Sequence, residues 1–497
     1  MGSALGGDFF GWEFVLYGGF LSALIATAFT ALFFWLYAGT ITELAARYRT
    51  SGGSFDFVKI VFGQRTAALM AVLGLLKLIL ANSAIALAIS SYLIQGGMPR
   101  NMQFVIWICT YSAFTFMDVI GVRQSANVQV LATILCVLIL IFYSCSSLRK
   151  FSLTRIRDSG LFNGGVIGYF KGFPFALQFF DGFEEVPLLM GYAINPEKTI
   201  PQAIISCYVT VLAIAVMVLV TASGITPFSV LIRSGAPLMN GIEAVYGQST
   251  IISDSVANLV VLGLLVNFFA FVLFSSQLMQ AVAAGGQLPV FLSYRHPIHS
   301  APINASICSS IFGLILTVSF SYAFGESAAQ DTLVTAALMP AVLGYLLLLE
   351  CIIEIREIEK KGQGNMTEDD IIRLGKDPGD MRFTYGTYGA RFAQGMCSMF
   401  VIGLLVLACI SSEFRMGLIL LVLFGSALLA SMMKYMQHKI YNESAENEND
   451  SKVSYIGVKR QESEESLNLL SENEVSQEQI IDNDIIMINS DLRMYHC

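Results

Sequence analysis

The chain has 497 residues, of which 55% are hydrophobic and 13% are charged, whereas soluble proteins usually carry about 25% charged residues. Much of the formal net charge of −8 comes from acidic residues in the C-terminal stretch 441–497. No basic patch interleaved with aromatic residues is present, so binding of nucleic acid has no support. The hydrophobic composition predicts a multi-span α-helical membrane protein, because the apolar residues fall in blocks long enough to cross a bilayer.

The first stretch, residues 1–14, is rich in glycine and aromatic residues and is too short to cross a bilayer alone. We expect it to be the second half of a helix whose first half is absent. Longer apolar blocks follow in chain order and predict membrane-spanning helices. They cover residues 17–44, 67–93, 104–120, 128–144, 170–192, 203–225, 256–277, 305–324, 333–353, 392–410 and 416–436.

The distribution of lysine and arginine predicts which loops face the cytosol, since short cytosolic loops are enriched in these residues. Most basic loops fall on the side that carries residues 47–65, although the basic connection 148–172 falls on the other side. We therefore predict a membrane domain over 1–440 with a cytosolic loop at 354–391, in which Thr367 begins a short helix. The acidic tail 441–497 is predicted to be cytosolic and disordered.

One apolar block, 170–192, is interrupted at its middle by Asp181, Gly182, Glu184, Glu185 and Pro187. A carboxylate at mid-bilayer costs about 2.5–3.5 kcal/mol on insertion scales, so it requires a cavity or a partner. Glycine and proline let a helix unwind there, and the freed carbonyls suit a cation such as an ammonium group. The alternative is a proline kink at a helix end, with the carboxylates in water.

Several motifs in fixed order resemble the amino acid–polyamine–organocation family of transporters, and most of all its amino-acid and ethanolamine permease branch. They are Gly7-Asp8-Phe9-Phe10-Gly11-Trp12, Ser51-Gly52-Gly53-Ser54-Phe55, Ile120-Gly121-Val122-Arg123, Phe180-Asp181-Gly182-Phe183-Glu184, Asn195-Pro196 and Gly286-Gln287-Leu288-Pro289. The resemblance covers about residues 2–435. It implies an all-α fold of the leucine-transporter type, in which two inverted repeats of five helices precede two more.

The resemblance also implies a substrate site between two broken helices, the first and the sixth. The carboxylate or hydroxyl end of the substrate would meet Gly2, Ser3 and Ala4. Its ammonium end would meet the sixth-helix break, and these residues are Phe179, Phe180, Asp181, Gly182, Phe183 and Glu184. The three phenylalanines would limit the width of the substrate.

Other polar residues on the spans are weaker candidates for coupling or gating, and they are Lys77, Asn82, Asn267, Ser275, Ser276 and Tyr345. Lys77 is either a proton-coupling or gating cation or a buried charge paired with a carboxylate. The three side chains on the eighth span either line the cavity or a sodium position, or make hydrogen bonds between helices. Tyr345 either gates the site or packs as an ordinary aromatic residue.

The resulting hypothesis is alternating-access transport of an amino acid or a related small amine such as ethanolamine. No cofactor or metal is expected, and the candidate coupling ions are a proton and sodium. All four histidines fall outside the predicted mid-membrane zone and no HExxH or GxSxG motif is present, so an enzyme is not predicted. The alternative is a transport-deficient family member acting as a nutrient sensor or scaffold, since gate arginines expected near Gln277 and Ala284 are missing.

The tail carries short motifs that resemble sorting signals, a tyrosine-based one at Tyr455 and an acidic dileucine one at Leu469-Leu470. These motifs indicate sorting adaptors as partners, or they are chance matches. A plasma-membrane, endosomal or lysosomal location would follow from them.

Overall fold

The computed structural model describes residues 2–247, 251–297, 299–361, 366–382, 385–411, 415, 417–419 and 421–437. Most of these residues are helical, because a backbone in hydrocarbon must satisfy its hydrogen bonds within its own segment. The predicted tail 441–497 and its sorting motifs lie outside the described residues. Residues Met1–Met433 form one compact unit.

The α-helices follow one another along the chain. Their bounds are α1 (Phe20–Arg47), α2 (Ser54–Phe62), α3 (Gln64–Gln95), α4 (Gln103–Ile120), α5 (Val122–Ser147), α6 (Leu153–Ser159), α7 (Gly165–Gly172), α8 (Pro196–Ile225), α9 (Phe228–Leu231), α10 (Pro237–Tyr246), α11 (Ile251–Ala284), α12 (Ile303–Phe324), α13 (Glu326–Lys360), α14 (Glu368–Leu374), α15 (Gly386–Ile410) and α16 (Gly417–Gln437). Within the described ranges, ten of these are long and apolar enough to cross a membrane.

The long helices agree with the predicted apolar blocks, and each extends beyond its block at one end or at both. The largest difference concerns the predicted loop 354–391, because α13 continues to Lys360 and α15 begins at Gly386. Hydropathy does not predict the end of this helix, because the last turns of α13 are polar. Buried ion pairs keep these turns helical. Arg356 contacts Glu43 at 2.5 Å and Glu359 at 2.8 Å.

These ion pairs join the end of α13 to the end of α1, where Arg47 contacts Glu43 at 2.6 Å and Glu359 at 2.7 Å. We call this side of the molecule, with residues 48–63, the inner face. The short helix α14 lies in the connection on the same face. Thr367 caps it by accepting from the Asp370 N–H, and Asp370 accepts from the Thr367 N–H in return.

The order of the helices forms two repeats. The first comprises a broken segment at the N-terminus, then α1, α3, α4 and α5. The second comprises a broken segment from Gly165 to Tyr192, then α8, α11, α12 and α13, and α15 and α16 follow. Each repeat carries short helices between its second and third long helices, α2 in one and α9 with α10 in the other.

Both broken segments contain 3₁₀ helix interrupted by glycine. The first consists of Ala4–Asp8 and Trp12–Gly18, separated near Gly11, which has a φ of 87°. The second consists of α7, Phe173–Phe180 and Phe183–Tyr192. Because 3₁₀ helices rarely run beyond a few residues, such long runs indicate segments shaped by their tertiary contacts.

Candidate functional site

The second broken segment changes direction at Asp181 and Gly182. Gly182 has a φ of 102°, which only glycine adopts readily, and a Cβ there would lie 2.9 Å from Cβ of Ser3. The break therefore depends on glycine for its backbone angle and for its close approach to the first broken segment. Pro187 lies farther on, inside Phe183–Tyr192, so the break occurs at Gly182 and not at the proline.

The first broken segment approaches this break closely. Oγ of Ser3 donates a hydrogen bond of 3.1 Å to the carbonyl of Gly182. A Cβ at Gly6 would lie 1.6 Å from Nδ2 of Asn267, and one at Gly7 would lie 1.7 Å from the carbonyl oxygen of Gln178. The absence of a side chain at both positions lets the segment fit between α11 and the second broken segment.

A cavity lies between the two broken segments, α3, α11 and α13, and we call it the central cavity. Its volume is about 30 Å³. Its polar lining comes from several elements at once and consists of Ser3, Gln178, Asp181, Asn267 and Tyr345. The rest of its lining is apolar, from residues such as Phe10, Ile85, Phe271 and Leu338. An apolar pocket with a few convergent polar groups is the usual form of a small-molecule site.

A charged cluster stands at one end of the central cavity. Nζ of Lys77 on α3 lies 3.0 Å from Oδ1 of Asp181 and 2.9 Å from Oε1 of Glu185, and it also contacts Glu184. The side chain of Asp181 keeps 19% of its accessible surface, whereas Lys77 and Glu184 keep 5% and 4%. Asp181 is therefore the carboxylate of the cluster that the central cavity can reach.

Glu184 holds the break in place. Its Oε2 accepts the backbone N–H of Gly182 at 2.8 Å, and its Oε1 accepts the Tyr345 hydroxyl at 2.6 Å. The N–H at the start of a helical run has no partner within the run, so the Glu184 carboxylate supplies one. The predicted alternative for Lys77, a buried charge paired with carboxylates, describes its contacts. The alternative that the three carboxylates reach water is wrong, because Glu184 and Glu185 are buried.

A second cavity lies on the other side of the cluster, toward the inner face, and we call it the inner cavity. Its volume is about 20 Å³. Its lining includes Lys77, Glu184, Glu185, Tyr37 and Ser54. Tyr345 lines both cavities. The charged cluster thus separates the central cavity from the inner cavity.

The predicted role of the three phenylalanines requires correction. Phe179 stacks on Trp12 with ring centroids 5.7 Å apart, and Phe180 stacks on Phe34 at 5.2 Å. Phe183 packs edge-on against Phe34 at 5.4 Å. None of the three lines the central cavity, because they fix the second broken segment to α1 and to the first segment. Small apolar residues of α3 and α13 define the cavity walls instead.

Other predicted residues also lie outside the lining of the central cavity. Ser275 and Ser276 are buried, and their hydroxyls donate to carbonyls of their own helix at 2.9 Å. Asn82 is buried on α3. Gly2 precedes the first broken segment and Ala4 begins it, and a Cβ at Gly2 would lie 2.8 Å from Cγ1 of Val266. Asn267 and Tyr345, by contrast, line the cavity.

Sequence reasoning omitted Gln178, Glu185 and Tyr37 from the candidate site. Glu185 stands in the interrupted block and was visible there as a third carboxylate. Gln178 carried a signal as well, since it is a polar residue three positions before the break. Tyr37 gave no signal, because an aromatic residue within an apolar span is ordinary.

Comparison with known protein families gives a match over most of the chain. The family model described as amino acid permease matches residues 1–424. The chain belongs to the amino acid permease family. The resemblance predicted from the sequence motifs is therefore confirmed, and the chain is an integral multi-pass membrane protein.

Curated members of the permease family share limited identity with the chain. The chloroplastic cationic amino acid transporter 7 of Arabidopsis thaliana is 23% identical over 319 residues, which are 60% of this chain and 54% of that protein. The chain thus matches about half the length of this relative. The amino-acid permease AapA of Bacillus subtilis is 30% identical over 178 residues, which are 36% of this chain and 37% of that protein.

A solved transporter structure has a similar fold. The crystal structure of MhsT in complex with L-phenylalanine aligns with a TM-score of 0.56 and 16% identity, over 82% of this chain and 96% of that chain. This likeness confirms the predicted leucine-transporter type of fold.

Proposed function

We propose that this permease carries an amino acid or a related small amine across its membrane by alternating access, with the central cavity as the substrate site. The observation that carries the proposal is the meeting of two helix breaks at one cavity. Ser3 from the first break and Asp181 from the second both line it. Discontinuous helices that meet near mid-membrane are the usual site of substrate in this class of fold.

The lining of the cavity supports an amine-bearing substrate. Asp181 is the cluster's accessible carboxylate and offers an ion pair to an ammonium group. The start of the first broken segment offers N–H groups to a carboxylate or hydroxyl, and the apolar walls from α3 and α13 would contact a side chain. The names of the relatives, which include a cationic amino acid transporter, support the same substrate class. Ethanolamine is the smallest candidate.

The test is uptake by the full chain purified into proteoliposomes, with radiolabelled arginine, leucine, phenylalanine and ethanolamine as probes. We expect saturable uptake of at least one probe. Asp181→Asn should reduce that uptake at least tenfold, because an ion pair replaced by a neutral amide costs about 1.5 kcal/mol or more of binding. Ser3→Ala should weaken uptake by a smaller factor.

A matched control is Ser309→Ala. Ser309 is buried on α12, and its hydroxyl donates to the carbonyl of Ser306 on the same helix at 3.1 Å. Uptake by this variant should stay within twofold of the unmodified chain. Absence of uptake and of binding for every probe would refute the proposal and would favour the sensor or scaffold alternative.

A further inference from the structure

The charged cluster is not balanced within the described residues. Lys77 supplies one positive charge, whereas Asp181, Glu184 and Glu185 supply three carboxylates. In the part of the chain that the structure describes, the other ionisable groups near the cluster are neutral in their ordinary forms, namely Tyr37 on α1, Tyr345 on α13 and Cys207 on α8. Because uncompensated charge in the bilayer interior is costly, the cluster needs additional positive charge.

The three carboxylates do not share the same surroundings. Glu184 accepts from Lys77, Gly182 and Tyr345, which are enough donors to keep it an anion. Asp181 and Glu185 each contact Lys77, at 3.0 and 2.9 Å, and the side chain of Asp181 also interacts with Glu184, which favours a proton on Asp181. Asp181 lines the central cavity, and Glu185 lines the inner cavity. The two carboxylates that can hold a proton therefore face opposite cavities, with one lysine between them.

We propose that Asp181, Lys77 and Glu185 form a proton relay from the central cavity to the inner cavity, so that one proton accompanies each amine substrate. This inference rests on the proposed function. It favours a proton over sodium as the coupling ion, because the contacts of Lys77 with Asp181 and Glu185 give a proton a path between the two carboxylates.

The transfer is balanced in protons and charge. Before substrate binds, Asp181 is a carboxylic acid, Lys77 is an ammonium and Glu185 is a carboxylate. Lys77 gives a proton from Nζ to Oε1 of Glu185 and takes the proton of Asp181. Asp181 is then a carboxylate that binds the substrate ammonium, Lys77 is again an ammonium, and Glu185 is a carboxylic acid.

The cycle closes when the inner cavity opens. Glu185 releases its proton there and the substrate leaves. Asp181 then has no ammonium partner except Lys77, which Glu184 and Glu185 share. A new proton reaching Asp181 from the central cavity restores the first state. Each cycle moves one proton and one substrate in the same direction.

The experiment uses proteoliposomes of the full chain and the radiolabelled probe that exchanges fastest among arginine, leucine, phenylalanine and ethanolamine. Two quantities are measured, accumulation driven by a pH gradient at clamped membrane potential and exchange of labelled for unlabelled probe at equal pH. With one proton per substrate, a gradient of one pH unit should give about tenfold accumulation. Exchange needs no proton transfer to Glu185, because the proton of Asp181 can return to the central cavity when the substrate ammonium binds.

Glu185→Gln should lower accumulation to the level without a gradient, while exchange stays within about threefold. Lys77→Arg gives the sharper comparison, since arginine keeps the charge but does not give up its proton. A relay predicts that Lys77→Arg loses accumulation and keeps exchange. A purely structural charge at position 77 predicts that arginine preserves both activities.

Asp8→Asn is the matched control, because Asp8 is a buried carboxylate of the first broken segment with no hydrogen-bond partner among the described residues. Accumulation of the probe by this variant should persist. Accumulation by Lys77→Arg or by Glu185→Gln, loss of accumulation by Asp8→Asn, or a sodium requirement in the unmodified chain would each overturn the relay while leaving transport intact. If the unmodified chain showed neither exchange nor accumulation, that result would instead overturn the proposed function and, with it, the relay.

Discussion

Replacing Lys77 by methionine should destabilise the folded membrane domain strongly. The change removes the only positive charge that the described structure places within contact of Asp181, Glu184 and Glu185. At 3 Å and an effective dielectric constant of about 20, each contact contributes about 5–6 kcal/mol of Coulomb attraction. Desolvation and repulsion between the carboxylates offset most of it. Loss of one partner of a buried pair typically costs about 3–5 kcal/mol, which is the loss we expect in the free energy of unfolding.

The measurement is the apparent melting temperature of the purified chain in detergent, at pH 5 and at pH 8. The destabilisation should be larger at pH 8, because at pH 5 protons can replace the missing lysine charge on the carboxylates. Lys171→Met is the matched control, since Nζ of Lys171 lies 4.2 Å from the ring centroid of Tyr17 and such contacts contribute about 0.5–1 kcal/mol at exposed sites. Equal melting temperatures for Lys77→Met and the unmodified chain at pH 8 would refute the assignment of a charged, buried cluster.

Two further predictions test the fit of the first broken segment and the capping of α14. Gly7→Ala should reduce probe binding at least tenfold, because its Cβ would lie 1.7 Å from the backbone oxygen of Gln178. Gly395→Ala is the control and should bind the probe normally, because a Cβ there has no atom within 4 Å. Equal binding by both variants would contradict the close approach of the first broken segment to Gln178. Hydrogen bonds with Thr367 hold the pKa of Asp370 below its ordinary value. The carboxylate therefore stabilises α14 fully at any pH above the ordinary aspartate pKa of about 3.9, and this stabilisation is lost as the pH falls through the lowered pKa. Amide exchange of 368–374 should therefore accelerate at acid pH beyond its intrinsic dependence, and Asp370→Asn should remove that acceleration.

Most of the fold could be predicted from the sequence, because membrane helices are signalled by length and apolarity alone. The span at α3 differs from the predicted block by only a few residues at each end, and the span at α12 differs only at its start. The errors lie where tertiary contacts extend a helix into polar sequence. The last turns of α13 look like a loop because Glu354, Arg356 and Glu359 are charged, and only the distant partners Glu43 and Arg47 explain why they remain helical.

The candidate site could be predicted in part. A glycine next to carboxylates within an apolar block marks the break at Gly182, since the cost of burying charge makes that pattern rare. Side-chain direction could not be predicted, because residues in 3₁₀ helix point according to a period of about 3.0 that the sequence does not announce. The phenylalanines at 179, 180 and 183 consequently seemed to face a substrate, although they pack against Trp12 and Phe34.

Stability alone is a weak reason for four ionisable side chains at the centre of a membrane protein, because well-packed apolar residues often replace a buried ion pair at no cost. The position of the cluster suggests a different reason. Lys77 belongs to α3 of the first repeat, whereas its three partners belong to the broken segment of the second repeat. Alternating access moves such segments relative to each other. The net charge of the cluster depends on how many protons are bound to it and on whether a substrate ammonium is bound. Each conformation of the two segments is therefore stable only with certain bound protons and substrate, and this couples binding to the conformational change.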